Sequence, residues 1–386
     1  MPNASHDNAS DDEQPAWREP WGDTLISSVE KPSDTFRVGF LNINAWPKDP
    51  FDPKNKQLQS LINDHDFDAF AMTEMNRYWP ALPMQDRLYE RTFKWWQSLH
   101  ISQAFNKDFK PLSDFFPGGT AVFSRNHAAS RAMKSGQDPS GLGRWTWTLY
   151  RGREGITLRV VSAYCPVINK SGPMLVYNQH KTYLDNHDDN RDPRIAFTAD
   201  LRKEILVWQL AGDQILIGMD ANEDVRDGSL YQTMAALNLR EAVTSRHGLT
   251  SPRTYQGGSK PIDALWFSPT LMGLQCGYLK FVPWFDHRCL WIDIPTAVAF
   301  GHDLPPIVSA RARRLKCQDP RVMDRYTELY SIYLQQNSLV QRAFQLQEIM
   351  TYPLSLSMTN EWKPSTSFVW LACSKQNVGA ESFVPE

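Results

Sequence analysis

Short runs of apolar residues recur along the chain from Phe36 onward, and polar or turn-forming residues separate them. Runs of roughly four to eight such residues, rich in Val, Ile and aromatic side chains, are typical of buried β-strands. They predict strands at residues 36–43, 69–73, 120–124, 145–150, 156–164, 214–219, 262–268, 274–281 and 290–294.

A helical period stands between two of these predicted strands. Its apolar residues recur at steps of four, four and three, which is the spacing of one helix face. They are Phe197, Leu201, Ile205 and Trp208. Asp192 is placed to cap this helix, and Pro193 suits its first turn. Because several other strands follow one another with no helix between them, the pattern predicts an α+β sandwich with helices outside.

The two ends of the chain have a different pattern from its centre. Residues 1–34 are polar and Pro-containing, and they are predicted to form a disordered tail, since they have too little apolar surface to offset the entropy of ordering. Residues 35–300 are predicted to form the main domain. Residues 301–386 are predicted to form a basic linker and a helical extension, because Met323, Tyr326, Tyr330 and Tyr333 continue at helical spacing.

Composition, charge and cysteine content disfavour membrane and secreted classes of protein. The 386 residues carry 41 Lys and Arg against 43 Asp and Glu, so no global charge attracts nucleic acid or lipid. No apolar run reaches the roughly 18 residues of a membrane span, and the start lacks a signal-peptide pattern. The five cysteines include no Cys-x-x-Cys pair. An intracellular, reducing location without membrane contact is therefore predicted.

Amide and acidic residues stand at the ends of several predicted strands. Asn42 and Asn44 flank Ile43 and share one face of the first strand. Glu74 directly follows the second strand. Each has an ordinary alternative: paired Asn residues often cap turns, and a strand-end Glu is usually only solvated.

Later strands add further candidates. Asp220 and Asn222 close a strand that contains Gly218, and Asp263 lies inside the next one. A carboxylate within a strand needs a partner, and His287 is the natural candidate. Asp286 precedes this histidine, and Tyr164 ends another strand. An Asp-x-Asn turn and a tyrosine that only covers the core remain alternatives.

Taken together, these strand-end groups are rich in oxygen and contain no thiol. Hard oxygen ligands of mixed charge suit Mg²⁺ or Mn²⁺ better than zinc. Such a site suits cleavage of phosphate esters.

The order of the motifs resembles that of the endonuclease/exonuclease/phosphatase superfamily, which includes DNase I and the apurinic endonucleases. The resemblance extends from about Phe36 to Ile294. The segments that carry it are Leu41-Asn42-Ile43-Asn44, Thr73-Glu74, residues 118–125, Tyr164-Cys165-Pro166, Asp220-Ala221-Asn222, Ile262-Asp263 and Asp286-His287. It implies a DNase I-like two-sheet sandwich flanked by helices.

The resemblance also implies a role for each candidate residue. The metal is expected to be held by Asn42, Asn44, Glu74 and Asp286. Catalysis is expected to depend on Asp220, Asn222, His287, Asp263 and Tyr164. In this scheme Asp220 activates water, Asn222 and Tyr164 contact the phosphate, and His287, oriented by Asp263, stabilises the charge of the transition state. Asn44 stands where several relatives have Asp, which lowers the charge of the expected metal site.

Flanking residues direct the choice of substrate. The signatures of inositol phosphatases are absent around Asp220 and Asp263. A DNA endonuclease, with RNA as the alternative substrate, is therefore the leading prediction, and a nuclear location is suspected. The rivals are a phosphatase acting on a small or lipid phosphate and a catalytically silent nucleic-acid-binding module.

One further segment is predicted to contact DNA. Residues 309–325 have a local excess of basic residues that could follow a phosphate backbone, and a solvated linker and helix start are the ordinary alternative. Residues 313–321 also loosely resemble the linker after the nuclease of non-LTR-type retroelements.

Overall fold

The computed structural model describes the backbone of residues 19–27, 30–96, 98–109, 111, 113–168, 171–272, 274–301 and 319–350. It describes the side chains of these residues up to residue 345. The chain divides into two compact units, residues 1–307 and 308–386. The first unit contains, in chain order, β1 (Trp21–Gly22), β2 (Thr35–Asn42), α1 (Pro53–Asp64), β3 (Ala69–Thr73), α2 (Leu88–Thr92), β4 (Leu99–Ala104), β5 (Thr120–Arg125), α3 (Asn126–Arg131), β6 (Ala132–Gln137), β7 (Trp145–Arg151), β8 (Thr157–Tyr164), α4 (Val176–Asn186), α5 (Pro193–Leu210), β9 (Gln214–Asp220), α6 (Ser229–Ala236), β10 (Arg240–Glu241), α7 (Ala242–His247), β11 (Asp263–Phe267), β12 (Gln275–Tyr278), β13 (Leu290–Pro295) and α8 (Thr296–Phe300).

The described strands of the first unit form two sheets. One has the order β1-β12-β13-β2-β3-β5-β4, and the other has the order β10-β11-β9-β8-β7-β6. Each contains one parallel pair, β2 with β3 and β8 with β9, among antiparallel neighbours. Helices join the strands of both parallel pairs, as parallel connections require. The fold is thus the predicted α+β sandwich of two sheets flanked by helices.

Alternation along the strands divides the apolar side chains among three layers. Phe40 of β2 belongs to the core between the sheets, where it lies with Val160 and Leu216 of the second sheet. Its neighbour Leu41 belongs instead to the outer core under α1. Successive side chains of a strand point to opposite faces, so each central strand contributes to two cores.

Helix α5 follows the sequence prediction closely. Its apolar face of Phe197, Leu201, Ile205 and Trp208 is buried against the second sheet. The Asp192 carboxylate accepts a hydrogen bond from the Arg194 backbone N–H at 2.8 Å, and Pro193 occupies the first turn. This cap satisfies one of the N–H groups that a helix start leaves without a partner.

The N-terminal segment departs from the prediction of a tail. Residues 1–18 lie outside the described residues, but β1 pairs with β12 through Trp21 and Tyr278. Asp23 strengthens this attachment, because its carboxylate accepts from the Cys276 backbone N–H at 2.9 Å and pairs with Arg246. A two-residue strand carries no periodic signal, so sequence patterning does not reveal it.

Gly218 of β9 has a structural role. A Cβ atom at this position would lie 2.5 Å from the ring of Phe40 on the facing sheet. The glycine therefore allows the close approach of the two sheets.

The second unit contains α9 (Pro320–Gln336) and α10 (Leu339–Met350). Asp319 caps α9 by accepting from the Arg321 backbone N–H at 3.1 Å, and the rings of Tyr326 and Tyr330 stack 5.9 Å apart. Residues 302–318 of the predicted basic linker and the chain after residue 350 lie outside the described residues. Among the described helices, we find none with the length and apolar character needed to cross a bilayer.

Candidate active site

Parallel pairing brings the predicted residues together. In the first sheet Asn42 lies in register with Thr73, directly before Glu74. In the second sheet Tyr164 lies in register with Asp220, and antiparallel pairing places Asp263 opposite Asp220. Since the two sheets pack face to face, these strand ends meet at one edge of the sandwich.

Asn42 connects the two sheets at this edge. Its side-chain N–H donates to Oδ2 of Asp220 at 2.8 Å, and its Oδ1 accepts from the Asn44 backbone N–H at 2.9 Å. Asn42 and Asp220 are each about 1% exposed. Hydrogen bonds between buried polar groups are retained because an unpaired buried group is costly. Asn42 therefore holds the Asp220 carboxylate in place, in addition to capping the turn at Asn44.

The chain turns sharply where these strands end. Asn44, Glu74 and Asn222 all have φ between 42° and 51°. This left-handed conformation is uncommon outside glycine, although Asn adopts it more readily than most residues. It aligns the two loops of the first sheet, where the Ala45 backbone N–H donates to the Glu74 carbonyl at 2.8 Å.

Asp263 and His287 form a buried ion pair. Nδ1 of His287 lies 2.8 Å from Oδ2 of Asp263, and the two residues are 6% and 0% exposed. The hydroxyl of Thr254 accepts from the Asp263 backbone N–H at 3.1 Å, and the ring of Tyr255 lies 4.9 Å from the imidazole. Burial lowers the pKa of His287, but the Asp263 carboxylate more than compensates and raises this pKa to about 10. His287 is therefore a cation at neutral pH.

Asp220 has a perturbed acidity. Burial, together with the nearby Asp263 carboxylate, raises the pKa of Asp220 above its usual range, against the opposing effects of His287 and the Asn42 hydrogen bond. The ionised form of a carboxyl group with a raised pKa is a stronger base than an ordinary aspartate, so it is suited to accept a proton.

Tyr164 and Asn222 complete the wall on the second sheet. The Tyr164 hydroxyl interacts with the side chains of Glu74 and Asn222. Burial and the Glu74 and Asp220 carboxylates hold the pKa of Tyr164 well above its usual range, so it remains a protonated donor. Asn222 donates through Nδ2 to the Cys165 carbonyl at 2.8 Å and through its backbone N–H to Asp220 at 3.0 Å.

Lys54 enters the site although no sequence signal indicates it. The Asn44 side chain donates to Oδ2 of Asp286 at 2.9 Å, and the Lys54 ammonium donates to the Asn44 carbonyl at 2.7 Å. Burial lowers the pKa of Lys54, while the Asp286, Asp52 and Glu74 carboxylates oppose this effect. Lys54 lies in the first turn of α1, so only the tertiary fold brings its charge to these acids.

A comparison with protein families identifies the family of this chain. The sequence model of the Endonuclease/Exonuclease/phosphatase family matches residues 40–280, more than half of the chain. This chain belongs to that family. The match begins in β2, just before Asn42, and includes every predicted site residue up to Asp263; Asp286 and His287 follow it directly.

Solved structures share the family fold. The AP endonuclease LMAP from Leishmania major is 12% identical over 75% of this chain and 96% of that one, with a TM-score of 0.53. The Xenopus laevis APE2 catalytic domain is 14% identical over 67% and 92%, with a TM-score of 0.50. The human Nocturnin catalytic domain is 17% identical over 73% and 99%, with a TM-score of 0.47. The comparison with curated proteins finds no match.

The donor set of the site fits a hard divalent ion, as is general in this family. Oδ1 of Asp286 is buried without a hydrogen-bond partner in the described structure, and Glu74 is half-buried nearby. Asp220, Asp263 and His287 form a second group whose potential ligand atoms lie within 4.8 Å of one another. Buried carboxylate oxygens without partners are costly unless a cation or a proton joins them.

Proposed function

We propose that this chain is a divalent-metal-dependent phosphodiesterase that hydrolyses the backbone of DNA. One observation carries the proposal: a buried Asp263–His287 ion pair, an Asp220 of raised pKa and the Glu74 and Asp286 carboxylates all converge at one edge of the sandwich. Phosphodiester hydrolysis needs this set, because a base must activate water while cations stabilise the developing charge.

The metal is best held by Glu74 and Asp286, with the oxygens of Asn42 and Asn44 beside them. The group of Asp220, Asp263 and His287 is less suitable, because a protonated imidazole has no lone pair to offer a metal. Mg²⁺ or Mn²⁺ held by these residues would supply a positive charge that polarises phosphoryl oxygens and stabilises the leaving oxygen.

Side chains of the protein carry out the remaining steps of the proposed reaction. Asp220 accepts a proton from the attacking water, and the Asn42 amide fixes the orientation of this carboxylate. The His287 cation, held by Asp263, stabilises the negative charge that develops on phosphorus-bound oxygens. Tyr164 and Asn222 donate hydrogen bonds to the phosphate. Water oxygen bonds to phosphorus, and one bridging P–O bond breaks.

A nicking assay tests this proposal. Supercoiled plasmid should be converted to open circles in Mg²⁺ or Mn²⁺, and excess EDTA should abolish the conversion. Full activity in EDTA would overturn the metal requirement. Hydrolysis of small or lipid phosphates in place of plasmid would favour a phosphatase, and binding without cleavage would favour a silent binding module.

A matched pair of substitutions tests the ligand assignment. Glu74→Gln keeps the shape of the side chain but removes a ligand charge, so turnover should fall by about tenfold or more and should recover partly at high Mg²⁺. Glu154→Gln makes the same change on the exposed turn before β8, at the opposite end of that strand from Tyr164. This control should behave as wild type. A Glu74→Gln enzyme that matched it at every Mg²⁺ concentration would exclude Glu74 as a ligand.

A further inference from the structure

A cleft of about 480 Å³ opens beside the catalytic residues. Asn44 and Asp286 belong to its lining, so it is continuous with the proposed active site. The segment between β12 and β13 supplies much of the rest, including Lys280, Phe281 and Trp284. Lys280 carries a positive charge, and Glu19, which also lines the cleft, carries a negative one. Because these charges oppose each other, the aromatic rings indicate the class of ligand better than the charges do.

Trp284 adopts an unusual conformation on this cleft. The Phe285 backbone N–H donates to the Val282 carbonyl at 3.2 Å, which closes a turn with Pro283 second and Trp284 third. Trp284 has a φ of 76°, and this position of such a turn normally selects glycine or asparagine. The indole is also 62% exposed. Neither turn conformation nor core packing explains a tryptophan here.

Phe281, which also lines the cleft, is held in place by a buried arginine. The buried Arg288 guanidinium lies 5.1 Å from the centre of the Phe281 ring. Arg288 is itself fixed by a hydrogen bond to the Glu19 carbonyl. Rings that are already held in place lose little conformational entropy when they contact a ligand.

We propose that the Trp284 cleft binds an unpaired nucleobase of the DNA strand that the catalytic residues cut; this assignment depends on the nucleic-acid substrate proposed above. Trp284 precedes Asp286 by two residues and His287 by three, so a base on this ring lies next to the attacked phosphate. Every base has a flat face that stacks on an aromatic ring. In a duplex both faces are covered by neighbouring bases, so the cleft selects single-stranded or locally unpaired DNA.

A comparison of two strands isolates the contribution of the bases. Binding of a short oligothymidylate and of an abasic strand with the same number of phosphates is measured by fluorescence anisotropy in EDTA, with wild type and Trp284→Ala. Wild type should prefer the strand with bases, and Trp284→Ala should lose about tenfold in affinity for that strand alone. Trp284→Phe should retain most of the preference.

Two further variants serve as controls. Leu210 is 89% exposed and lies just before β9, at the opposite end of that strand from Asp220, so Leu210→Ala should not change either affinity. Lys280→Gln should weaken binding of both strands equally, because it removes only a charge.

The same preference for bases in Trp284→Ala and wild type would overturn the proposed stacking, and so would an equal loss on both strands. A wild-type enzyme that neither binds these strands nor cuts DNA in Mg²⁺ would instead overturn the proposed function. The two failures are therefore distinguishable.

Discussion

The Asp263–His287 pair shows how two charges depend on each other. Asp263 is fully buried, and its contact with Nδ1 of His287 fixes the orientation of the ring. The cationic form of His287 persists under burial because this carboxylate stabilises it. Removing either partner leaves an uncompensated charge, which costs about 3–5 kcal/mol in a buried site.

This dependence predicts non-additive kinetics. Asp263→Asn and His287→Gln should each lower turnover by about a hundredfold or more, and the double variant should be little worse than His287→Gln alone. Steady-state rates of the four proteins test this expectation, and thermal unfolding of each confirms that it remains folded. If the two losses simply multiplied, His287 would act without Asp263.

At the scale of elements, the two parallel strand pairs bring the site residues together. The edge strands are the elements that the apolar pattern of the sequence does not predict. Strands β4 and β6 end their sheets and have mixed polar and apolar sequences. An edge strand is not enclosed on both sides, so it needs no continuous apolar run, and charged or polar residues there limit aggregation. Apolar patterning predicts the central strands and passes over these two.

Helix α4 contains a buried histidine that makes stability depend on pH. Burial lowers the pKa of His180 to about 3, against roughly 6.5 in the unfolded chain. Between these values only the unfolded state binds the proton, so the free energy of unfolding should decrease as pH falls. From pH 7 to pH 5 this contribution amounts to about 2 kcal/mol.

Urea denaturation at the two pH values, for wild type and His180→Gln, measures this contribution. The variant should lose about 2 kcal/mol less than wild type over the same pH interval, since its side chain does not titrate. An equal loss in both proteins would mean that His180 binds its proton equally in the folded and unfolded states.

On the scale of the whole molecule, the basic extension is the part that is predicted to bind DNA through its charge. Two of its described arginines have acidic partners: Arg321 lies near Asp319, and Arg325 lies 2.7 Å from Glu328. The other basic residues of the stretch, and the segment that resembles a retroelement linker, lie mainly outside the described residues. Their contact with DNA stays a prediction, as does a nuclear location.

Truncation after Ile307, where the first unit ends, tests that interaction with DNA. The shortened protein should retain its turnover but bind DNA more weakly. The slope of log affinity against log salt should fall by about 0.9 for each DNA phosphate that the extension neutralises. The full-length protein, measured at the same salt concentrations, is the control. An unchanged slope after truncation would identify the stretch as a plain linker.

The sequence by itself determined the α+β class, the central strands, the α5 face and its Asp192 cap, because these depend on local periodicity and on groups adjacent in the chain. The ordered motifs also indicated the family. Contacts between distant residues were decided only by the tertiary structure. Asn42 meets Asp220 across 178 positions, and β1 docks on β12 without any local signal. The packing of the two sheets brings separate loops to one edge of the sandwich. For this reason the Lys54 ammonium lies near the Asp286 and Glu74 carboxylates, and Trp284 lines the cleft beside them.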